Sequence, residues 1–263
     1  MQLRELDRIL EDLPLGKVRY FERTGSTNDD AARWAEEGAP DLSLVIAEEQ
    51  TAGRGRHNRR WYTPPGAALA FSLILRTQSE EAVIPRLTAL GALALSDALQ
   101  GLYGLQARIK WPNDVLMAGR KLAGVLAEAA WQGDRLASVI LGIGINIGPL
   151  SVPPQSTLNY PAVCLESALS KRVDRLELLH EVLACLLDWR PRLAEDKFIL
   201  ACQERLAFRG EWVQIVPDRG LPVEGQVLGL DKGGCLVLRT RVGETITLQS
   251  GQLRPIGPLK DSG

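Results

Sequence analysis

One stretch of nine residues, Gly53-Arg54-Gly55-Arg56-His57-Asn58-Arg59-Arg60-Trp61, carries the strongest chemical signal in the chain. Arginine presents a planar fork of donors that matches a phosphate or a carboxylate, and four arginines stand here. Trp61 offers a flat face to a base or an aliphatic chain, while Gly53 and Gly55 let the backbone turn tightly or approach a ligand. The stretch lies between apolar runs that end near Ala47 and resume at Ala67, so a flexible cationic loop joining two buried strands is expected. A solvated surface loop has the same composition. What weighs against that plainer reading is the polar company found at other strand ends.

Lys110-Trp111-Pro112-Asn113-Asp114 ends one such strand. Pro112 fixes a turn, Asn113 can hydrogen-bond, and Asp114 can hold a magnesium ion or a ribose hydroxyl. A turn capped by Asn and Asp side chains is the structural alternative. Lys121 either flanks a hairpin turn or sets a point charge beside the apolar groove of Leu122-Ala123-Gly124-Val125-Leu126, floored by Gly124. Ser26, Thr27 and Asn28 occupy a strand-to-helix corner, where they cap the helix or direct hydroxyl and amide groups into a pocket. Gln50 closes the strand before the arginine loop, and Asn146 closes Gly142-Ile143-Gly144-Ile145-Asn146. No Walker-type phosphate loop is present, so use of ATP requires another architecture.

The elements that must position these groups follow from periodicity. Leu3, Leu6, Ile9, Leu10 and Leu13 predict a short amphipathic helix stopped by Pro14. A strand over 18–22 leads to a helix opened by Asp29 and Asp30 and ended at Gly38, and strands over 42–47 and 67–75 flank the arginine loop. Ile84, Leu87, Leu90, Leu95 and Leu99 predict a helix from about Glu80 to Leu102, with Ala and Gly positions that permit close packing on a sheet. A strand over 107–111, a hairpin turning at Ala118-Gly119, a turn at Gly133-Asp134 and a strand over 136–147 come next. Consecutive strands of this kind argue for an α/β (α+β) architecture with a mixed or mostly antiparallel sheet, against a doubly wound parallel one. A helix over 175–200 should split or kink at Pro191. From Phe208-Arg209-Gly210 onward five short strands, with one turn at Asp218-Arg219-Gly220, predict a small barrel whose closure removes exposed edges. Two domains result, 1–208 and 209–263.

The 263 residues carry a formal net charge of -1 and are 45% hydrophobic, as expected of a globular protein in solution. The local positive charge suits a small anion better than a long phosphate backbone. Cys164, Cys185, Cys202 and Cys235 have no metal-like spacing, and with no secretory signal they read as reduced thiols in a cytoplasm. No apolar stretch is long enough to cross a bilayer, so no membrane partner is expected. His57 and His180 are too few for a zinc site, and a metal requirement points to Mg2+ carried with nucleotide phosphates.

Taken in order, Ser26-Thr27-Asn28, Gly53-Arg54-Gly55-Arg56, Lys110 to Asp114, Lys121 to Leu126 and Gly142 to Asn146 resemble the biotin protein ligases across most of residues 18–148. The resemblance implies a catalytic domain like that of class II aminoacyl-tRNA synthetases followed by an SH3-like domain. It implies biotin and ATP as substrates with Mg2+, biotinyl-AMP and pyrophosphate as first products, and transfer to a lysine of a biotin carboxyl carrier protein. A lipoate or octanoate transferase is a related alternative, and a non-enzymatic nucleic-acid module is disfavoured by the overall charge.

On that resemblance Ser26, Thr27, Gln50, Gly53, Arg54, Lys121 and Gly124 contact biotin, and Arg56 reaches its carboxylate or the phosphate. Nucleotide contacts are implied for Arg54, Arg56, Arg59, Asn113, Lys121 and Asn146, with Trp61 as a platform for adenine. Lys121 matches the catalytic lysine. Arg56 and Asp114 are further catalytic candidates, and Asp114 is also implied as the metal ligand and in acceptor-side chemistry. Asn58 stands where the family commonly has a third loop glycine; Asn tolerates left-handed backbone, so the turn is expected to persist with less freedom. The first 17 residues are too few for a winged helix, which predicts a ligase with no DNA partner, and a homodimer is compatible with the family.

Overall fold

The structure, a computed structural model, describes residues 3–76, 83–132, 135–158, 160–218 and 220–256. Expectations at Glu80, at the Gly133-Asp134 turn and at Arg219 lie outside those residues.

Seven strands make the main sheet: β1 (Val18–Thr24), β2 (Ser43–Gln50), β3 (Ala68–Leu75), β4 (Arg108–Lys110), β5 (Asp114–Met117), β6 (Arg120–Gln132) and β7 (Arg135–Asn146). Their spatial order is β1-β2-β3-β7-β6-β5-β4, with β1 parallel to β2 and the other ladders antiparallel. This is the expected mixed sheet. Side chains alternate across it with the period of a strand. Leu44, Ile46, Leu69, Phe71 and Leu73 point into one core, while Val45, Ile74 and Ile140 point into another. Helix α2 (Thr27–Glu36) covers the second face through Ala31, Trp34 and Ala35.

The first face is covered by α3 (Val83–Tyr103), assisted by α1 (Leu3–Ile9) and α5 (Arg175–Trp189). Gly91 on α3 allows the close approach expected from its small residues, since a Cβ there would stand 2.9 Å from Val125 Cγ1. With both faces covered, β3 is buried along its whole length and can be apolar throughout. α1 ends at Ile9, before the proline expected to stop it, because the chain tightens into a turn with Leu13 N bonded to Leu10 O. Along the chain a short helix, α4 (Leu165–Leu169), comes between β7 and α5. The long C-terminal helix divides as expected at Pro191: α5 stops at Trp189, a single 3-10 turn spans 190–192, and α6 (Asp196–Glu204) follows.

The remaining strands, β8 (Trp212–Val216), β9 (Val223–Leu230), β10 (Leu236–Arg239), β11 (Thr245–Leu248) and β12 (Gln252–Pro255), form a second, antiparallel sheet in the order β11-β10-β9-β8-β12. Among the described residues no ladder joins β11 to β12, so the expected closure is not made by backbone pairing. The apolar face of the sheet gathers instead around Val213, Ile215, Val227, Leu236, Leu238 and Leu253. Trp111, beyond the end of β4, inserts into this second core and donates its indole N–H to Gly234 O at 3.4 Å. Arg86 of α3 adds a further tie by bonding Lys232 O.

Candidate active site

The strand ends and the arginine loop enclose a cavity of about 530 Å³. At one end lies a polar corner. Gln50 Oε1 accepts from Thr27 N at 2.8 Å and from Thr27 Oγ1 at 3.1 Å, and Gln50 Nε2 donates to Thr63 Oγ1 at 2.9 Å. Ser26 is the residue before α2 but its side chain makes no capping bond, and it lines the cavity. The corner therefore serves the pocket rather than the helix end.

At the other end Asp114 is held between two lysines. Its Oδ1 lies 2.5 Å from Lys121 Nζ and its Oδ2 3.1 Å from Lys110 Nζ. Residues three apart on a strand ordinarily face opposite sides. A register shift between Val115 and Leu116 in the β5–β6 ladder re-aims Lys121, whose Nζ stands only 3.4 Å from where a Cβ on Gly124 would be. The hairpin behind it turns on Ala118 (φ 48°) and Gly119 (φ 71°), the two positive angles of a type I′ turn. Burial alone would raise the Asp114 pKa, but Lys121 and Lys110 outweigh it and hold the carboxyl below its ordinary value. Lys110, only 6% exposed, has its pKa lowered by burial, with Asp114 opposing the shift, and its ammonium lies 4.4 Å from the centre of the Tyr160 ring.

Both oxygens of Asp114 thus already face ammonium groups, and no group of three or more His, Cys, Asp or Glu side chains among the described residues could hold a metal ion. The expected role of Asp114 as a metal ligand does not fit this donor set, because a cation there would have to displace a lysine.

The floor between the two ends is made of glycines. Gly124 on β6 pairs with Gly144 on β7, and the Trp61 indole lies over both; an added Cβ at Gly144 would overlap the ring. Trp61 Nε1 is buried without a hydrogen-bond partner, and the ring centre is 5.5 Å from Lys121 Nζ. Gly142 gives the same close approach to Asn28, whose side-chain oxygen occupies the place of a Cβ.

The arginines of the loop are not equivalent. Arg54 is engaged by carboxylates: Nη1 and Nη2 bond Glu128 at 2.8 and 2.7 Å, and Nη2 lies 2.7 Å from Asp29. Arg56 reaches the other way, 3.4 Å from Gly251 O and 3.6 Å from Asp218, and burial lowers its pKa while Asp218 opposes the shift. Arg59 lines the cavity. Left-handed backbone in the loop falls on His57 (φ 56°), one residue before Asn58, and His57 Nε2 lies 3.5 Å from Asp218.

Of the residues expected from the sequence, Gly53 does not line the cavity. Its backbone instead closes the loop, with Trp61 N bonded to Gly53 O at 2.8 Å and room for a Cβ denied by Trp61 O at 2.5 Å. The Asn113 amide bonds Val125 O at 3.0 Å and pins the hairpin, and the Asn146 amide bonds Val163 O at 3.2 Å while bordering the cavity. Sequence reasoning missed Glu128, Tyr160, Asp218 and the Gly251–Arg254 wall. Glu128 had a signal, as the lone acid in the apolar stretch 122–131; the wall over 251–254 had none, because it is brought there by the packing of the second sheet.

Residues 20–146 match the sequence profile of the biotin/lipoate A/B protein ligase family. The biotin--[acetyl-CoA-carboxylase] ligase of Paracoccus denitrificans is 34% identical over 239 residues, covering 85% of this chain and 95% of that relative. The chain belongs to the biotin protein ligase family. Another ligase of that family, from Aquifex aeolicus and solved in complex with biotin and ATP, superposes with a TM-score of 0.79 at 26% identity, covering 91% of this chain and 99% of the other. The fold is therefore that of the biotin protein ligases, a mixed sheet joined to a small β domain. The bifunctional ligase/repressor BirA of Bacillus spizizenii is 39% identical over 166 residues, which is 63% of this chain and 51% of that protein, so the match spans about half the length of that relative.

Proposed function

We propose that the protein is an ATP-dependent biotin ligase that forms biotinyl-5′-AMP with release of pyrophosphate and transfers the biotinyl group to a lysine of a biotin carboxyl carrier protein. The observation that carries this reading is the placing of Lys121, Asp114 and Arg56 around one end of a cavity whose other end is a polar corner. A ureido ring needs donors and acceptors together, and Ser26, Thr27 and Gln50 supply both, whereas the dithiolane of a lipoyl group has no polar edge to engage them. Ligase relatives that share the fold support it.

Attack of the biotin carboxylate on the α-phosphorus brings two anions together. Lys121 and Arg56 lower that repulsion and favour the charge that builds on the phosphoryl oxygens. No protein nucleophile is required. Trp61, with the arginine loop, covers the mixed anhydride against water, and its free N–H is a donor for a bound acyl or phosphoryl oxygen. Arg54 and Gly53 shape the loop, and Arg59, Asn113 and Asn146 border the nucleotide side. In the second step the carrier lysine attacks the acyl carbon as a neutral amine, the bond from that carbon to the phosphate oxygen breaks and AMP leaves; Asp114 orients the incoming amine and accepts its proton, with Lys110 and Lys121 keeping the carboxylate ionised. Residues 1–208 act as the catalytic domain and 209–263 as the domain that completes the cavity wall. A homodimer remains part of this proposal.

Mass spectrometry of a biotin carboxyl carrier domain after incubation with the protein, biotin and magnesium ATP tests the reading. One biotin adduct that requires ATP is expected; a carrier modified with lipoate and not with biotin would overturn the choice of acid.

A further inference from the structure

The cavity corner and the arginine loop share a carboxylate that the reaction itself does not use. Glu128 lies on β6 and receives the Arg54 guanidinium in a two-point contact at 2.8 and 2.7 Å. The same carboxylate accepts from Asn28 Nδ2 at 2.7 Å. Asn28 is held on three sides: its oxygen lies 2.6 Å from Ser72 Oγ, its nitrogen bonds Glu128, and Gly142 leaves no space for it to turn. Ser72 Oγ is in turn 2.8 Å from Thr27 Oγ1, and Thr27 bonds Gln50, which bonds Thr63 on the returning limb of the loop. One continuous set of hydrogen bonds therefore runs from the loop's arginine through Glu128 and the polar corner back to the base of the same loop.

We infer that Glu128 is a positioning residue that couples occupancy of the polar corner to placement of the arginine loop, and so governs how long the protein retains its acyl-adenylate. The inference rests on the proposed formation of biotinyl-AMP. The physical reason lies in directionality. A bidentate carboxylate fixes the plane of a guanidinium, whereas the single contact of Arg54 with Asp29 at 2.7 Å lets it swivel. Arg54 and Glu128 are both partly exposed, at 41% and 32% of their side-chain surface, so the pair contributes little to global stability. Its effect falls on loop geometry instead. A ligand that engages Thr27 and Gln50 tightens the chain of bonds that ends on Arg54, and the loop is drawn over the labile anhydride.

Retention of radiolabelled biotinyl-AMP, formed on the protein from biotin and magnesium ATP and chased with unlabelled biotin, tests this on the full chain. Glu128→Gln keeps an acceptor for Asn28 and removes the charge that Arg54 requires. Its expected behaviour is about tenfold faster loss of the adenylate and a raised KM for biotin, with a smaller effect on the maximal rate of pyrophosphate release and an unchanged melting temperature. Arg54→Ala should accelerate loss to a similar degree, and the double variant no further, since both changes cut one link. Adenylate retained by Glu128→Gln as long as by the wild type, or effects of the two changes that multiply, would overturn the inference. A folded wild type that makes no biotinyl-AMP would overturn the proposed function, and the inference with it.

Discussion

Asp114 Oδ1 stands 2.5 Å from Lys121 Nζ, while Asp114 Oδ2 is taken by Lys110 at 3.1 Å. Two cations around one largely buried carboxylate leave excess positive charge at the end of the cavity where, in the proposed reaction, two substrate anions meet. Replacing either lysine removes that excess and leaves the other lysine paired.

Lys121→Ala should therefore lower the rate of pyrophosphate release by about 10²–10³-fold, the usual size of effect for one electrostatic stabiliser of a transition state. Its ammonium is partly exposed, so circular dichroism and the melting temperature should change little. A variant with near-normal release would remove Lys121 from the chemistry.

Asp114→Ala should separate the two half-reactions, with transfer from preformed biotinyl-AMP to the carrier lost. Normal transfer would exclude Asp114 as the group that handles the acceptor amine.

The same carboxyl makes a pH prediction. Its folded pKa lies below the unfolded value of about 4, so its contribution to stability is complete above that value and disappears as pH falls through the lower folded pKa. Melting temperatures followed downward from neutral pH should fall less steeply below about pH 4 in Asp114→Asn than in the wild type. Parallel curves would contradict the paired arrangement.

Gly144→Ala tests the floor. An added methyl overlaps Trp61, and because overpacking costs about 1–3 kcal/mol the loop should lift the indole into water rather than distort β7. A red shift in tryptophan emission, absent in a Trp61→Phe background, together with raised KM for both substrates is expected. Unshifted emission would place the ring elsewhere.

Cysteine chemistry should be silent. Burial pushes the thiols of Cys185 and Cys202 up to about 12, Cys185 with help from Glu181. At pH 8 only about one molecule in ten thousand of each would be thiolate. Iodoacetamide followed by peptide mass spectrometry should leave both unmodified in the native protein and alkylate both in denaturant; rapid native labelling would contradict the burial.

Much of this was legible in the chain because it is local. Apolar runs located β2, β3 and β7, Pro191 divided the last long helix, and Ala118-Gly119 marked the turn before Lys121. The polar groups at strand ends do gather in one cavity. What stayed hidden depends on through-space geometry. Arg54 and Arg56 are the same residue type two positions apart, yet one turns toward Glu128 and the other toward Asp218, a difference set by β6 and by the β8–β9 turn rather than by the loop. Sequence alone allows Asp114 as a metal ligand, because the pairing of its two oxygens with Lys110 and Lys121 exists only in three dimensions and the register shift that brings Lys121 there leaves no mark in composition.

Trp111 sits between Lys110 and the turn to Asp114, but its indole belongs to the core of the second sheet. A chain cut after Phe208 would leave that indole without its socket, and losing a buried tryptophan's packing costs about 3–5 kcal/mol. Lys110 and Asp114 flank the wedge, so the penalty would fall on the strand end that carries their ion pair. Transplanting the small β domain between relatives is thus a graft whose success depends on the fit of one ring, and a poorly fitting donor would leave the main sheet folded and the strand end at Asp114 misplaced.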